Sequence, residues 1–159
     1  MLYVAYGSNM NLDQMEYRCP KSVVVGVGIL KGWKLEFNYH ANVYRSDDMH
    51  DEVPVLVWDI DDSEWSWLDS YEGFPYYYYK DTVDVWVDGK RKKAIVYVMT
   101  DNGMDKKLRS HNTVLPSQSY FSCIEEGYIA NGIDTEYLYK VLAENIKVNE
   151  ELKREGVVR

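Results

Sequence analysis

The chain opens on a short apolar run, Leu2-Tyr3-Val4-Ala5-Tyr6, which breaks at Gly7-Ser8-Asn9 and continues as the mixed segment Leu12 to Arg18. That pattern predicts a strand, a tight turn and about two helical turns ending before Pro20, because a residue preceding proline avoids helical angles. Ser22 to Asn38 is β-rich, with Val23-Val24-Val25 and Leu35-Glu36-Phe37 punctuated by Gly26, Gly28 and Gly32. Glycines so placed mark bulges and bends of a curled sheet. Gly26-x-Gly28 follows a strand, but no helical segment with a third glycine comes after it, which rejects a dinucleotide-binding loop. Tyr39 to Glu52 is polar and irregular and reads as a long mobile loop, a lid beside the site. Val53 to Ile60 is the next strand.

Asp61 has the signature of a helix N-cap, with Glu64 three residues on as its capping-box partner. The helix that follows places Trp65, Leu68 and Tyr71 on one face and stops at Gly73-Phe74-Pro75, where glycine supplies a C-cap and proline forbids continuation. Tyr76 to Val87, Asp88-Gly89 and Lys90 to Thr100 read as a hairpin with a two-residue turn. Pairing Val87 with Lys90 sets Asp84 opposite Lys93 as an ion pair and Trp86 opposite Arg91 as a cation–π pair. Asp101 to Leu115 is polar and reads as a loop. Ser117 then caps a helix through Tyr120, Phe121, Ile124 and Tyr128, closed by Asn131-Gly132. Asp134 caps a last helix to Glu155, with Tyr137, Val141, Leu142, Ile146 and Leu152 as its apolar stripe. There is no internal repeat, and 159 residues suit a single domain over 1–159.

Composition narrows the function classes. The 15 Tyr and 5 Trp indicate much β-structure and half-wet aromatic surfaces. A net charge of −8 argues against general binding to nucleic acid or anionic membranes, and the basic run Lys90-Arg91-Lys92-Lys93 reads as a solvated hairpin end. No apolar run approaches membrane-spanning length, and no signal-like leader is present, so a cytoplasmic home is expected. Cys19 and Cys123 lack metal-type spacing, His40, His50 and His111 do not pair, and Asp47, Asp48 and Asp51 miss the alternation of a calcium loop. No metal and no organic cofactor is expected.

Two places carry candidate chemistry. A strand feeding Tyr6-Gly7-Ser8-Asn9 and opening a helix gathers backbone N–H groups on one concave spot, suited to a carboxylate, a phosphate or a developing oxyanion, or serving only as a structural turn. Glu72 falls at a helix C-terminus among Tyr71, Phe74 and Tyr76 to Tyr79. Both the negative end of the helix dipole and apolar neighbours raise a carboxyl pKa, and a glutamate poised near neutrality suits general acid–base work. The plainer reading is an exposed glutamate hydrogen-bonded to a tyrosine hydroxyl. Tyr77 and Tyr79 share one strand face, and either can reach a pocket near Glu72. Glu125-Glu126 is a solvated helix face, since adjacent helical residues diverge.

Tyr6-Gly7-Ser8-Asn9-Met10, Leu68-Asp69-Ser70-Tyr71-Glu72-Gly73 and Pro116-Ser117-Gln118-Ser119-Tyr120 together, in order and spacing, resemble the γ-glutamylcyclotransferase family with its AIG2-like and γ-glutamylamine cyclotransferase branches. The resemblance implies an α+β fold, a compact mixed β-barrel flanked by helices, with a pocket at its mouth. It implies a cofactor-independent enzyme that opens a γ-glutamyl amide by internal attack, giving 5-oxoproline and a free amine or amino acid. By the same resemblance Tyr6 to Met10 form the substrate loop, Glu72 is the acid/base, and Tyr79 and Tyr120 line the pocket; Met10 stands where leucine is commoner. The substrate's own α-amine is the nucleophile in this reaction, so no activated serine or cysteine is required. The alternative is a non-catalytic protein that binds a small carboxylate or a peptide on the same fold. Partners expected are a small-molecule γ-glutamyl substrate, no nucleic acid and no membrane, on a monomer or homodimer.

Overall fold

The strand Glu52–Asp59 is buried on both sides along Val55, Leu56, Val57 and Trp58, which marks it as the middle of a closed structure. The structure, a computed structural model, describes residues 1–159. In chain order the strands are β1 (Leu2–Ala5), β2 (Val23–Lys31), β3 (Trp33–Asn38), β4 (His40–Arg45), β5 (Glu52–Asp59), β6 (Tyr78–Val87) and β7 (Lys90–Met99). The helices are α1 (Leu12–Arg18), α2 (Trp65–Glu72), α3 (Asp101–His111), α4 (Gln118–Ala130) and α5 (Glu136–Arg154). Five strands close into a barrel in the order β1-β5-β2-β6-β7. Its neighbours run antiparallel except at the seam, where β1 meets β7 in parallel at Tyr3 and Ile95. The fold is therefore an α+β mixed barrel with helices packed around it, and none of those helices is long and apolar enough to cross a membrane.

The hairpin β6–β7 has the register its turn dictates, with Val87 opposite Lys90 and Asp84 opposite Lys93, whose charged groups meet at 2.8 Å. Trp86 does face Arg91 in register, but the cation over its ring is Lys31 at 4.1 Å, supplied by the neighbouring strand β2. The helix after Pro116 also follows its local signals, with the Ser117 side chain accepting from Tyr120 N–H at 3.3 Å.

Four expectations are corrected. Tyr39 to Glu52 is not one long mobile loop: residues 40–45 form β4, paired with β3 from Trp33–Arg45 to Asn38–His40. The polar character of β4 misleads because Asn42 is 1% exposed and acts as a connector. Its side chain donates to Glu36 and accepts from Met99 N–H at 2.8 Å, tying the small sheet to β7. The second correction is α3, which replaces the loop read over Asp101 to Leu115 and is capped by Thr100, whose hydroxyl accepts from Gly103 N–H at 2.9 Å. Third, Glu64 is no capping-box partner. It is fully buried and accepts from Lys21 N–H and Ser22 O–H, while Asp61 N–H donates to Ser22. Fourth, the buried stripe of α5 is Leu138, Val141, Asn145 and Asn149, and Ile146 is exposed. Asn145 accepts from Phe37 N–H and donates to Val114 C=O, and Asn149 accepts from Val114 N–H, so amide side chains do what an apolar stripe was expected to do.

Candidate active site

The last turn of α2 ends in a left-handed residue, Gly73 at φ +65°, whose N–H reaches Ser70 C=O while Phe74 N–H reaches Asp69 C=O. Glycine takes that angle at no steric cost, and a Cβ there would stand 2.3 Å from Tyr77 Cδ2; Glu72 is the residue just before the reversal. Glu72 opens into a cavity of about 390 Å³. Its walls come from the β1–α1 turn, α1, the end of α2, the start of β4, α3 and α4, elements spread over most of the chain. The carboxylate keeps a face toward the cavity and is only half-buried, yet it is enclosed by protein on its other sides. Loss of water solvation pushes its pKa up to about 7, against the pull of Arg18 and then Lys107.

Beside it, residues Ser8–Met10 form a single 3₁₀ turn in which Met10 N–H bonds Gly7 C=O at 3.0 Å. The N–H groups of Gly7, Ser8 and Asn9 come before that first bond and so lie at the open end of the turn, and all three residues line the cavity. Gly7 is favoured by close approach, since a Cβ there would sit 3.2 Å from Ala41 Cβ and 3.4 Å from the Tyr120 hydroxyl, a tight fit that would push its neighbours back. Asn9 is the hub. Its Oδ1 accepts from Arg18 at 2.9 Å and from Gln14 at 3.2 Å; its Nδ2 donates to Tyr3 OH at 3.0 Å and to Glu72 Oε1 at 3.4 Å. Trp58 Nε1 holds the Asn9 backbone carbonyl at 3.0 Å.

The phenols around Glu72 are neutral hydrogen-bonding groups, each pushed upward in pKa chiefly by burial. Tyr6 donates to Tyr97 C=O at 2.6 Å and Tyr78 donates to Ala41 C=O at 2.8 Å, so those two are committed to the scaffold. Tyr120 accepts from Ala41 N–H at 3.0 Å, which leaves its own O–H to point at whatever occupies the cavity. His40, also in the wall, has its pKa pushed down to about 4 by burial and then by Lys107 and His111, and is neutral at physiological pH.

Of the residues expected at the site, Tyr6, Gly7, Ser8, Asn9, Glu72 and Tyr120 line one cavity. Met10 does not; it is fully buried in the apolar core beneath the turn. Tyr79 is 44% exposed and outside the cavity, and its neighbours Tyr77 and Tyr78 occupy the wall instead. Sequence reasoning missed Tyr3, Arg18, His40 and Lys107. No local motif marks the first two, and the last two sit in segments read as loops. Neither Arg18 nor Lys107 is within salt-bridge reach of a carboxylate, so the cavity presents two cations that only the longer-range charge of Glu72 opposes. That charge suits an anionic ligand.

A family profile described as "Gamma-glutamyl cyclotransferase, AIG2-like" matches residues 3–121, which include the turn, Glu72 and Tyr120. Among curated relatives, a γ-glutamylcyclotransferase of Bos taurus is 31% identical over 88% of this chain and 76% of its own length. One of Homo sapiens is 29% identical over 89% and 77%. A solved structure described as a γ-glutamyl cyclotransferase superposes with a TM-score of 0.74 at 28% identity, covering 89% of this chain and 85% of that one.

Proposed function

Because the chain belongs to the γ-glutamyl cyclotransferase, AIG2-like family, we propose that it converts a γ-glutamyl amide into 5-oxoproline and a free amine with Glu72 moving the protons. The observation that carries this reading is a carboxyl group with a pKa of about 7, directed into a cavity beside the open amides of Gly7, Ser8 and Asn9.

The glutamyl group is held folded, with its α-amine near Glu72 and its γ-carbonyl oxygen toward the turn. Glu72 as the carboxylate takes a proton from the α-ammonium. The freed amine attacks the γ-carbonyl carbon, forming the C–N bond of a five-membered ring and placing the charge on the carbonyl oxygen. Backbone N–H groups of the turn stabilise that oxyanion, an effect worth about 3 kcal/mol per well-placed donor. The protonated Glu72 gives its proton to the leaving nitrogen as the old C–N bond breaks; the regenerated carboxylate then takes the extra proton from the ring nitrogen and passes it to the released amine, which departs as an ammonium ion and leaves Glu72 ready for the next cycle. Atoms balance without water or an external acceptor. Intramolecular attack supplies the rest, since effective molarities for oriented ring closures reach about 10⁵ M or more.

A pKa near 7 suits both transfers, because the group must be a base first and an acid second at one pH. Asn9 holds Glu72 on one side, and on this reading Tyr120 O–H and Arg18 receive the glutamyl α-carboxylate, which is supported by their common place in the cavity wall. The test is mass-spectrometric detection of 5-oxoproline from a panel of γ-glutamyl amides, for wild type and Glu72→Gln. Release by the wild type alone supports both the reaction and the role of Glu72. Equal release by a folded Glu72→Gln removes Glu72 from the mechanism, and binding of 5-oxoproline without turnover by either protein makes this a binding pocket.

A further inference from the structure

α3 has only a short apolar stripe, Met104 and Leu108, of which Met104 packs against the core. Gly103 alone is fully buried, and Met104, Lys107 and Leu108 are partly covered. The helix docks by one face, at positions i, i+4 and i+8. At the first, Gly103 lies against the backbone of Tyr77 so closely that a Cβ would stand 2.4 Å from Tyr77 O. At the third, the His111 ring stacks flat on Tyr39 with centroids 3.5 Å apart. Between these two anchors the same face turns Lys107 into the cavity, while Lys106 and Arg109 stay exposed. A lysine on a surface helix ordinarily faces water, where its charge is solvated. Here the ammonium is partly stripped of water with no carboxylate in salt-bridge reach, which favours an arriving anion.

The two cavity cations reach it from different helices, Arg18 from α1 and Lys107 from α3, and both act on Glu72. Arg18 donates to Asn9 at 2.9 Å and lies over the Tyr71 ring at 4.6 Å, and Asn9 also touches Glu72. Arg18 therefore belongs with Glu72 and with the glutamyl α-amine and α-carboxylate. Lys107 has no hydrogen-bond tie to that cluster, although its charge also reaches Glu72; it lies beside His40 and, with the exposed Lys106, over the Tyr77 ring, on the wall formed by α3 and the start of β4. Once the α-carboxylate has taken Arg18, Lys107 is left for a second anionic group, and the remaining part of the substrate is the departing amine. We propose that Lys107 is a specificity-determining residue that binds a carboxylate carried by the departing amine, presented by the one helix that docks through Gly103. This rests on the cyclotransferase reading of the same cavity.

The test uses γ-glutamylalanine and γ-glutamylethylamide, which differ only in that carboxylate, with wild type, Lys107→Met, Lys107→Arg and Gly103→Ala. A charge-assisted contact should give the wild type a preference for γ-glutamylalanine of about tenfold to hundredfold in kcat/KM. Lys107→Met should abolish most of that preference through KM, Lys107→Arg should restore part of it, and Gly103→Ala should weaken it by lifting α3 from Tyr77. A wild type without preference, or a Lys107→Met variant that loses equally on both compounds, overturns the proposal. Release of 5-oxoproline from either compound upholds the cyclotransferase reading whichever way the ratio falls. Release from neither overturns that reading and this inference with it.

Discussion

Two glutamates, eight residues apart along the same helical segment, sit in opposite circumstances. Glu64, at the start of the segment, is completely buried, and its two oxygens accept from Lys21 N–H at 3.1 and 3.0 Å and from Ser22 O–H at 2.7 Å. It also lies near the positive end of the helix dipole, where a negative charge is stabilised. Glu72, at the far end, receives one long bond from Asn9 at 3.4 Å, faces the negative end of the dipole and opens into a cavity. Its pKa rises to about 7. Glu64 is the more deeply buried of the two, so burial alone does not make a reactive carboxyl. What separates them is that the protein satisfies the first and leaves the second partly unsatisfied, so that a substrate can complete it.

The largest effect should come from removing the unsatisfied one. Glu72→Gln keeps size and most contacts, so its circular dichroism should match wild type while 5-oxoproline release falls by roughly 10²–10⁴, the usual worth of a positioned acid/base. Glu64→Ala should do the reverse. It strands the Lys21 N–H and the Ser22 O–H, and denaturant unfolding should show a loss of about 3 kcal/mol with turnover largely kept in the protein that remains folded. Glu64→Gln should cost less, because its carbonyl oxygen can still accept both bonds. A glutamate 64 variant that folds normally but cannot turn over would erase the contrast.

A smaller effect lies in pH dependence. Because Glu72 must start as a carboxylate, kcat/KM should rise with pH through about 7. Stability should move the other way. Between about pH 4.5 and 7 the folded protein still holds the Glu72 proton that the unfolded chain has released, so folding weakens as pH rises, by on the order of 1–3 kcal/mol in all. His40, lowered from 6.5 to about 4, has the opposite slope in an overlapping window, since there the unfolded chain binds the extra proton. The difference between wild type and Glu72→Gln isolates the glutamate: the variant should gain relative stability from pH 5 to pH 7.5, and a flat difference would contradict the raised pKa. The smallest effect should be at the solvated pair Asp84–Lys93, where Lys93→Ala should change stability by no more than about 0.5 kcal/mol.

How much of this was legible depends on how local each signal is. The β6–β7 hairpin is set by Asp88-Gly89 and the alternation around it, and α4 by Ser117 and Asn131-Gly132, so both register and caps can be read from a few neighbouring residues. β4 and α3 carry no such signal. The strand contains Asn42, whose place is decided by Glu36 and Met99, and the helix contains a single buried residue, Gly103, whose place is decided by the backbone of Tyr77. Tyr79 reads into the pocket on its offset from Glu72 within a run of four tyrosines, but β6 begins only at Tyr78, so the alternation that would put Tyr77 and Tyr79 on one face does not extend to Tyr77. The structure gives the wall to Tyr77 and Tyr78.

The sequence by itself determined the motif-bearing half of this site: the Tyr6–Asn9 turn, Glu72 at the end of a helix, and Tyr120 just inside another. Those positions follow from capping, turn chemistry and helix termination, which act over a few residues. Only the tertiary structure decided that Arg18 and Lys107 enter the cavity, that His40 stands in its wall, and that Met10 and Tyr79 do not. These are outcomes of which faces meet when the barrel closes, and burial and charge pairing across distant segments leave no mark on the neighbouring letters of the chain.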